Sequence, residues 1–113
     1  MARTPTPAIL DILEAIEGIE NATAGKTIAD YESDWLLKHA VERAIEIISE
    51  ASRRIPAELQ AVRPEIPWRD VGTIGNVLRH EYHSVSSRII WNVVKDDLPM
   101  LKAAVQFIAG RVK

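Results

Sequence analysis

The chain has 113 residues, of which 47% are apolar and 27% are charged, and its formal net charge at pH 7 is −2. This length suits one domain with one hydrophobic core, so we predict a single domain over residues 1–113. The near-neutral charge gives no reason to expect general nucleic-acid binding, although a local basic patch remains compatible with it. Cysteine is absent, which excludes disulfides, thiolate metal sites and a cysteine nucleophile.

Neither a membrane span nor a signal peptide is expected. No apolar run approaches the roughly 18 residues that a spanning helix needs. The N-terminal "MARTPTPAIL" contains prolines where a signal peptide requires a continuous apolar stretch. Together with the absence of cysteine, this pattern predicts a cytoplasmic protein that does not associate with a membrane.

The segment "PAILDILEAIEGIENA", residues 7–22, predicts the first helix. Its isoleucines and leucines recur every three or four residues, and acidic residues lie opposite that apolar stripe. Thr6 and Pro7 read as an N-cap and a first-turn proline. Gly25 is expected to end the helix.

A second helical block is predicted over residues 27–54 and stops at Pro56. Asp34 caps it, or the helix begins at Thr27 and bends between the two. We expect one broad buried face, with His39 as a satisfied core histidine. That face comprises Trp35, Leu36, His39, Ala40, Arg43, Ala44, Ile47, Ile48 and Ala51.

Prolines divide the remaining sequence. The segment "IPAELQAVRPEIPW" is a connector with at most a short turn of helix. A third helix is expected over about residues 67–82, and a fourth from Ser86 to the C-terminus. We expect a kink or break of the fourth helix near Asp97–Pro99, with Asp97 able to cap the last part. No segment alternates as a strand does. The sequence therefore predicts an all-α bundle of four or five helices.

A bundle of this size has more apolar surface than one thin helical layer usually needs, which predicts a homodimer. The alternative is that these residues fill the core of the monomer. They are Trp68, Ile89, Ile90, Trp91, Val93 and Val94.

The stretch "GNVLRHEYH", residues 75–83, concentrates side chains that carry chemistry. Residues three and four apart share a helix face, which places together Asn76, Arg79, His80 and His83. One interpretation is a merely exposed polar face, with the Tyr82 ring packed on a neighbouring helix. A metal site is less well supported: the two histidines have only Glu50 or Glu81 as further ligands, and no second pair occurs elsewhere.

Acid–base cleavage of RNA suits these residue types better. Attack of a 2′-hydroxyl on its own phosphate needs a base and an acid, and histidine supplies both near neutral pH. Arg79 or another arginine can hold the phosphate, and Asn76 can orient an imidazole or bind a phosphate oxygen. Such a mechanism requires neither a metal nor another cofactor, and it acts on RNA alone.

The segment "EIPWRDVGTIGNVLRHEYHSVSSRIIWNVVKDDLPML" resembles the C-terminal half of the HepT-like proteins of the HEPN superfamily. "LLKHAVERAIEIISEASRRIP" is similar to the second helix of that family, so the resemblance covers nearly the whole chain. It implies an up-and-down, dimeric helical bundle that acts as a metal-independent endoribonuclease toxin. The implied partner is a small nucleotidyltransferase, the MNT antitoxin, which transfers AMP onto the tyrosine of an H-x-Y motif.

Carried over by position, this resemblance makes His80 the motif histidine, Tyr82 the modified tyrosine and Asn76 the polar residue after the motif arginine. The family arginine precedes the histidine with four to six residues between them, four being usual, and before His80 these positions are Gly75, Ile74 and Thr73. The same count from His83 gives Leu78, Val77 and Asn76, so neither histidine has its arginine. Arg79, or Arg69 earlier on the helix, then supplies the guanidinium. Otherwise the chain is a catalytically degenerate binding module that is the partner or substrate of a nucleotidyltransferase.

Overall fold

The computed structural model describes residues 5–81 and 85–112, and within these ranges it contains helices and no strand. In chain order the elements are α1 (Thr6–Thr23), α2 (Ile28–Ser33), α3 (Trp35–Ser52), α4 (Ala57–Gln60), α5 (Trp68–Glu81), α6 (Ser87–Asn92), a π-helical turn (Val93–Asp97) and α7 (Leu98–Arg111). The all-α prediction is confirmed. Helices α1, α3 and α5 and the continuous unit from α6 to α7 are the long members of the bundle, and α2 and α4 are short additions.

Helix α1 follows its predicted pattern closely. Its isoleucine stripe is buried, and the helix ends just before Gly25, whose φ of +72° lies in the left-handed region that glycine tolerates. The predicted cap is wrong by one residue. Thr6 is the first helical residue, and Pro5 holds the cap position without a side-chain hydrogen bond.

Both alternatives for the start of the second block occur together. Thr27 caps α2, accepting from the Asp30 amide at 3.2 Å while the Asp30 carboxylate accepts from the Thr27 amide at 2.9 Å. Asp34 then leaves helical geometry, with φ −110° and ψ 96°, and caps α3 by accepting from the Leu37 amide at 3.0 Å. Two local caps therefore divide the block at Asp34.

The predicted buried face of α3 is wrong at its N-terminal end. Trp35 and Leu36 are 70% and 71% exposed, and His39 is exposed instead of lying in the core. Helix α3 packs against α1 on one side and α5 on the other, and this sandwich selects a different stripe. The buried residues are Leu37, Val41, Ile45, Ile48, Ser49, Ala51 and Ser52.

The connector is tied to the bundle by side chains. The Trp68 indole Nε1 donates to the carbonyl oxygens of Gln60 at 3.0 Å and Arg63 at 3.1 Å. Arg53 Nη1, just beyond the end of α3, donates to the carbonyl oxygen of Gly72 at 2.7 Å. These bonds set where α5 begins and how it lies on α3.

Ser86 caps α6 by accepting from the Ile89 amide at 3.2 Å. Of the two outcomes expected near Asp97–Pro99, the break does not occur, and the helical irregularity is a turn that ends at Asp97. Proline has no N–H, and its ring would collide with the carbonyl of the residue four positions earlier. The chain widens into a π-helical turn instead, in which the Leu98 amide donates to the carbonyl oxygen of Val93. Asp97 stays helical and caps nothing by its side chain, so its predicted role is wrong.

Much of the predicted apolar surplus is used within the chain. Ile90, Trp91 and Val94 belong to the buried core, Trp68 and Val93 pack against it, and Ile89 remains 52% exposed. The homodimer therefore stays a prediction. Among the described residues, no helix has the length and hydropathy needed to cross a membrane.

Candidate active site

Helix α5 is fixed to α3 along a seam of small residues. Gly75 donates from its amide to Ser49 Oγ at 3.0 Å, in a buried position. A Cβ atom added to Gly75 would stand 2.8 Å from that oxygen and 2.9 Å from Ser49 Cβ. One turn earlier, a Cβ on Gly72 would stand 3.1 Å from Arg53 Cγ. At Gly75 only a hydrogen fits against Ser49, whereas at Gly72 a methyl group would require the Arg53 side chain to shift by a few tenths of an ångström.

The seam turns the predicted site residues outward. Asn76, Arg79 and His80 are all exposed on α5, within little more than one turn. None of the three side chains makes a hydrogen bond or ion pair with another residue of the described ranges. Tyr82 and His83 lie outside the described residues. The structure thus brings an imidazole, a guanidinium and an amide together on one accessible face.

Arg79 and His80 point to different sides of that face, because consecutive helical residues are about 100° apart. Arg79 lines a depression of about 350 Å³ between α3 and α5. The other lining residues are His39, Glu42, Arg43, Glu46 and Leu78. The polar surface of α5 therefore continues onto α3.

Sequence reasoning missed two residues of this surface. His39 and Arg43 were assigned to the buried face of α3, and both are exposed beside Arg79. The signal that could have found them is the stripe formed by Leu37, Val41, Ile45 and Ile48, whose spacing of four, four and three residues fits a helix face. Taking that stripe as buried turns His39 and Arg43 toward solvent.

The other arginine considered, Arg69, is exposed at the start of α5. It lies eleven residues before His80, which corresponds to about 16 Å along a helix. Arg79 adjoins His80 in the chain and is the better placed guanidinium. Within residues 5–81 and 85–112, no group of three histidine, aspartate or glutamate side chains is arranged to hold a metal ion.

A family model described as "Ribonuclease HepT-like" matches residues 12–108, which run from α1 to α7. The chain belongs to the HepT-like family. It is 42% identical over 102 residues to "Probable ribonuclease HepT" of Thermococcus cleftensis, covering 90% of this chain and 93% of that protein.

Two further relatives cover the chain almost end to end. "Putative RNase TTE0752" of Caldanaerobacter subterraneus subsp. tengcongensis is 32% identical, covering 98% of this chain and 99% of that protein. "Putative RNase MJ1380" of Methanocaldococcus jannaschii is 31% identical, and the match covers 96% of this chain and 100% of that protein. No solved structure matches the chain. This HepT-like protein therefore belongs to a family of HEPN-type ribonucleases.

Family membership gives the seam a particular meaning. Gly75 stands where the resemblance places the motif arginine, and its Cα faces Ser49 in the buried contact between α3 and α5. A long side chain has no room at that position unless the two helices separate. The packing of this HepT-like chain therefore requires a residue as small as glycine at position 75.

Proposed function

We propose that this HepT-like protein is a metal-independent endoribonuclease that uses His80. The observation that carries the proposal is that an exposed, unpaired His80 lies beside Arg79 and one turn from Asn76, in a chain of the HepT-like family. The ribonuclease names of the relatives support the same activity. These side chains are accessible to a large substrate, as an enzyme acting on RNA requires.

In the proposed reaction, an imidazole takes the proton of a ribose 2′-hydroxyl, whose oxygen attacks the adjacent phosphorus. The bond from phosphorus to the 5′-oxygen of the next nucleotide breaks, and that oxygen receives a proton. The products are a 2′,3′-cyclic phosphate and a free 5′-hydroxyl. Arg79 stabilises the negative charge that develops on the phosphate oxygens. Asn76 either binds a phosphate oxygen or orients the imidazole. His83 is the proposed second acid–base group.

The test is incubation of the purified chain with RNA in EDTA, compared with His80→Ala. We expect cleavage in EDTA, ends that carry 2′,3′-cyclic phosphate, and loss of activity in the variant. Glu81→Gln, at the exposed neighbouring position, is the matched control and should remain active. Cleavage that EDTA abolishes and a divalent metal restores contradicts the mechanism, and cleavage of DNA contradicts it as well.

The proposed biological role is that of a toxin paired with an MNT-type nucleotidyltransferase, which adds AMP to Tyr82. A phosphodiester and a nucleoside beside His80 would repel and obstruct an RNA phosphate. Mass spectrometry of the chain co-expressed with its nucleotidyltransferase checks this. An unmodified Tyr82 in a neutralised pair rules the modification out.

The proposed assembly is a homodimer in which the two α5 helices face a common groove, because one copy of the motif offers few groups to grip RNA. A stable dimer commonly buries more than about 1,200 Å² in total. Analytical ultracentrifugation at micromolar concentration should give twice the monomer mass. A monomer, or a dimer with the motifs on opposite sides, contradicts this assembly.

A second candidate function is a catalytically degenerate binding module for a nucleotidyltransferase. The specific observation that favours it is the Gly75 seam, which leaves no space for an arginine at the family position. Expression without the partner separates the two functions. Growth arrest that depends on His80 supports the ribonuclease, whereas normal growth together with retained binding to the partner supports the module.

A further inference from the structure

The first residue of α3 presents an aromatic ring to solvent. Trp35 is 70% exposed, and the ring of His39, one turn later, packs on it with centroids 4.1 Å apart and 32° between the planes. The Nδ1 atom of His39 donates to the carbonyl oxygen of Trp35 at 2.8 Å, because a carbonyl oxygen can only accept. That bond orients the imidazole against the indole. No other ring of the described residues contacts Trp35, and at 70% exposure the indole is open to solvent on the side away from His39.

Cationic groups continue from this ring pair toward the candidate active site. His39 lines the depression between α3 and α5 together with Arg43 and Arg79. The Arg43 side chain is 67% exposed and lies 3.2 Å from the carboxylate of Glu46, whose side chain is only 18% exposed. A pair with one partner so exposed holds the guanidinium weakly. A phosphate arriving from solvent meets the guanidinium groups before the half-buried carboxylates.

We propose that Trp35, His39, Arg43 and Arg79 form a subsite for single-stranded RNA. A base stacks on the open face of Trp35, and the adjoining phosphates lie on Arg43 and Arg79. Aromatic platforms beside a basic groove hold single strands in this way, with little sequence preference. The ligand is unpaired RNA, because the faces of a base inside a duplex are already stacked. The subsite rests on the proposed function, since Arg79 immediately precedes His80.

Charge favours RNA over a protein as the occupant. The centres of protein–protein interfaces are depleted of charged residues, whereas the exposed guanidinium groups of Arg43 and Arg79 line the depression that begins at His39, the residue packed on this ring. The chain also offers a matched control. Leu36 is 71% exposed next to Trp35, so it presents as much of its surface without a ring. Stacking needs only Trp35, and docking of an apolar protein surface needs both residues.

The test measures binding of the full chain to a fluorescent 2′-O-methyl oligouridine of about a dozen nucleotides. The methyl group removes the nucleophile, so binding is measured without cleavage. We expect Trp35→Ala to weaken binding by about tenfold or more, Trp35→Phe to weaken it less, and Leu36→Ala to leave it unchanged. Tryptophan fluorescence should be quenched on binding in the native chain and not in Trp35→Ala. A hairpin duplex of similar length should bind more weakly than the single strand.

The phosphate contacts have a separate readout. For single strands, the logarithm of the binding constant falls with the logarithm of salt concentration with a slope of about −0.7 per neutralised phosphate. Arg43→Gln and Arg79→Gln should each make that slope shallower by about 0.7. The control Arg88→Gln, at an exposed position on α6, should leave the slope unchanged.

Three outcomes overturn the subsite. The first is that Trp35→Ala binds the oligonucleotide as tightly as the native chain does. The second is that neither arginine substitution changes the salt slope. The third is that both Trp35→Ala and Leu36→Ala lose self-association while RNA binding stays intact. The last outcome makes the surface an interface between copies. Failure of the proposed function is distinguishable, because a chain that cuts no RNA but binds the oligomer through Trp35 retains the subsite and lacks the nuclease. Cleavage that needs His80 but not Trp35 supports the nuclease and contradicts the subsite.

Discussion

Ser49 Oγ accepts a hydrogen bond from the Gly75 amide and occupies the space where a side chain at residue 75 would begin. This contact joins the last turn of α3 to the middle of α5, five residues before the exposed His80. It therefore sets the distance between the two helices that carry the candidate site. Both the stability of the bundle and the position of His80 depend on it.

Replacing Gly75 by alanine should destabilise the fold. The added Cβ collides with Ser49, and overpacking of this kind costs about 1–3 kcal/mol, which exceeds the gain of up to about 1 kcal/mol from the better helix propensity of alanine. Gly18→Ala is the matched control, because Gly18 also lies within a helix and a Cβ there meets nothing within 4 Å. Urea denaturation should show a lower free energy of unfolding for Gly75→Ala and an unchanged or higher one for Gly18→Ala.

A double variant tests whether Ser49 causes the clash. In Ser49→Gly/Gly75→Ala the colliding atoms are gone, and the nearest remaining neighbour is Glu46 Cα at 3.5 Å, an ordinary contact. The two substitutions should therefore couple favourably by about 0.5–3 kcal/mol. Simple additivity contradicts the seam. Gly75→Arg should unfold the protein or separate the helices, and it should not raise ribonuclease activity.

Tyr31→Phe should leave stability unchanged or raise it by about 1 kcal/mol. The Tyr31 hydroxyl is buried without a hydrogen-bond partner among the described residues, and such a group costs about 1–3 kcal/mol. Phenylalanine keeps the ring that packs 5.4 Å from Trp91. Tyr31→Ala, which removes that ring, should lose about 3–5 kcal/mol. A marked loss of stability in Tyr31→Phe, measured by urea denaturation, would show that the hydroxyl has a partner.

The same tyrosine predicts a pH dependence. Burial raises the pKa of Tyr31 above its ordinary value of 10.0, so the neutral hydroxyl is favoured in the folded state. Below pH 10.0 the ionisation of Tyr31 does not affect the free energy of unfolding. Above that pH the hydroxyl ionises in the unfolded chain before it does so in the folded one, so the free energy of unfolding falls as the pH rises. The stability difference between the native chain and Tyr31→Phe should therefore widen in the variant's favour above about pH 10.

The arginine that serves His80 can be identified by substitution. Arg79→Gln should lower the cleavage rate by roughly 10²–10³-fold, the usual cost of removing one donor to a developing anion. Arg79→Lys should give a rate between those of the native chain and Arg79→Gln, since lysine keeps the charge and loses the bidentate fork. Arg69→Gln is the control and should retain most activity, because Arg69 lies about 16 Å from His80, toward the start of α5. The opposite order in initial rates would assign the role to Arg69.

Asp30→Asn should destabilise the protein at neutral pH and progressively less in acid. The pKa of Asp30 is lowered from its ordinary value of 3.8, chiefly by the backbone hydrogen bond and then the side-chain hydrogen bond of Thr27. A lowered pKa means that the carboxylate stabilises the fold above pH 3.8 and loses this effect as the pH falls through the folded-state pKa. Chemical denaturation of both chains across that range measures the difference. A difference that stays constant with pH contradicts the capping role.

Local signals in the sequence determined where most helices begin and end. The caps at Thr27, Asp34 and Ser86 each act within three residues, and the proline-rich connector restricts its own backbone angles. The four-residue spacing within the predicted third helix likewise placed Asn76 and His80 on one helix, as α5 has them. Such features depend on neighbours along the chain, so they can be read without the fold.

Tertiary structure decided which faces those helices present. Helix α3 carries apolar residues on more than one side, and its contacts with both α1 and α5 exposed Trp35 and His39. The continuation past Pro99 required a π-helical turn that propensity does not predict. The seam at Gly75 needed Ser49, a residue 26 positions away in the chain. Each outcome depends on which distant surfaces meet, because packing energy is gained between elements and not along one.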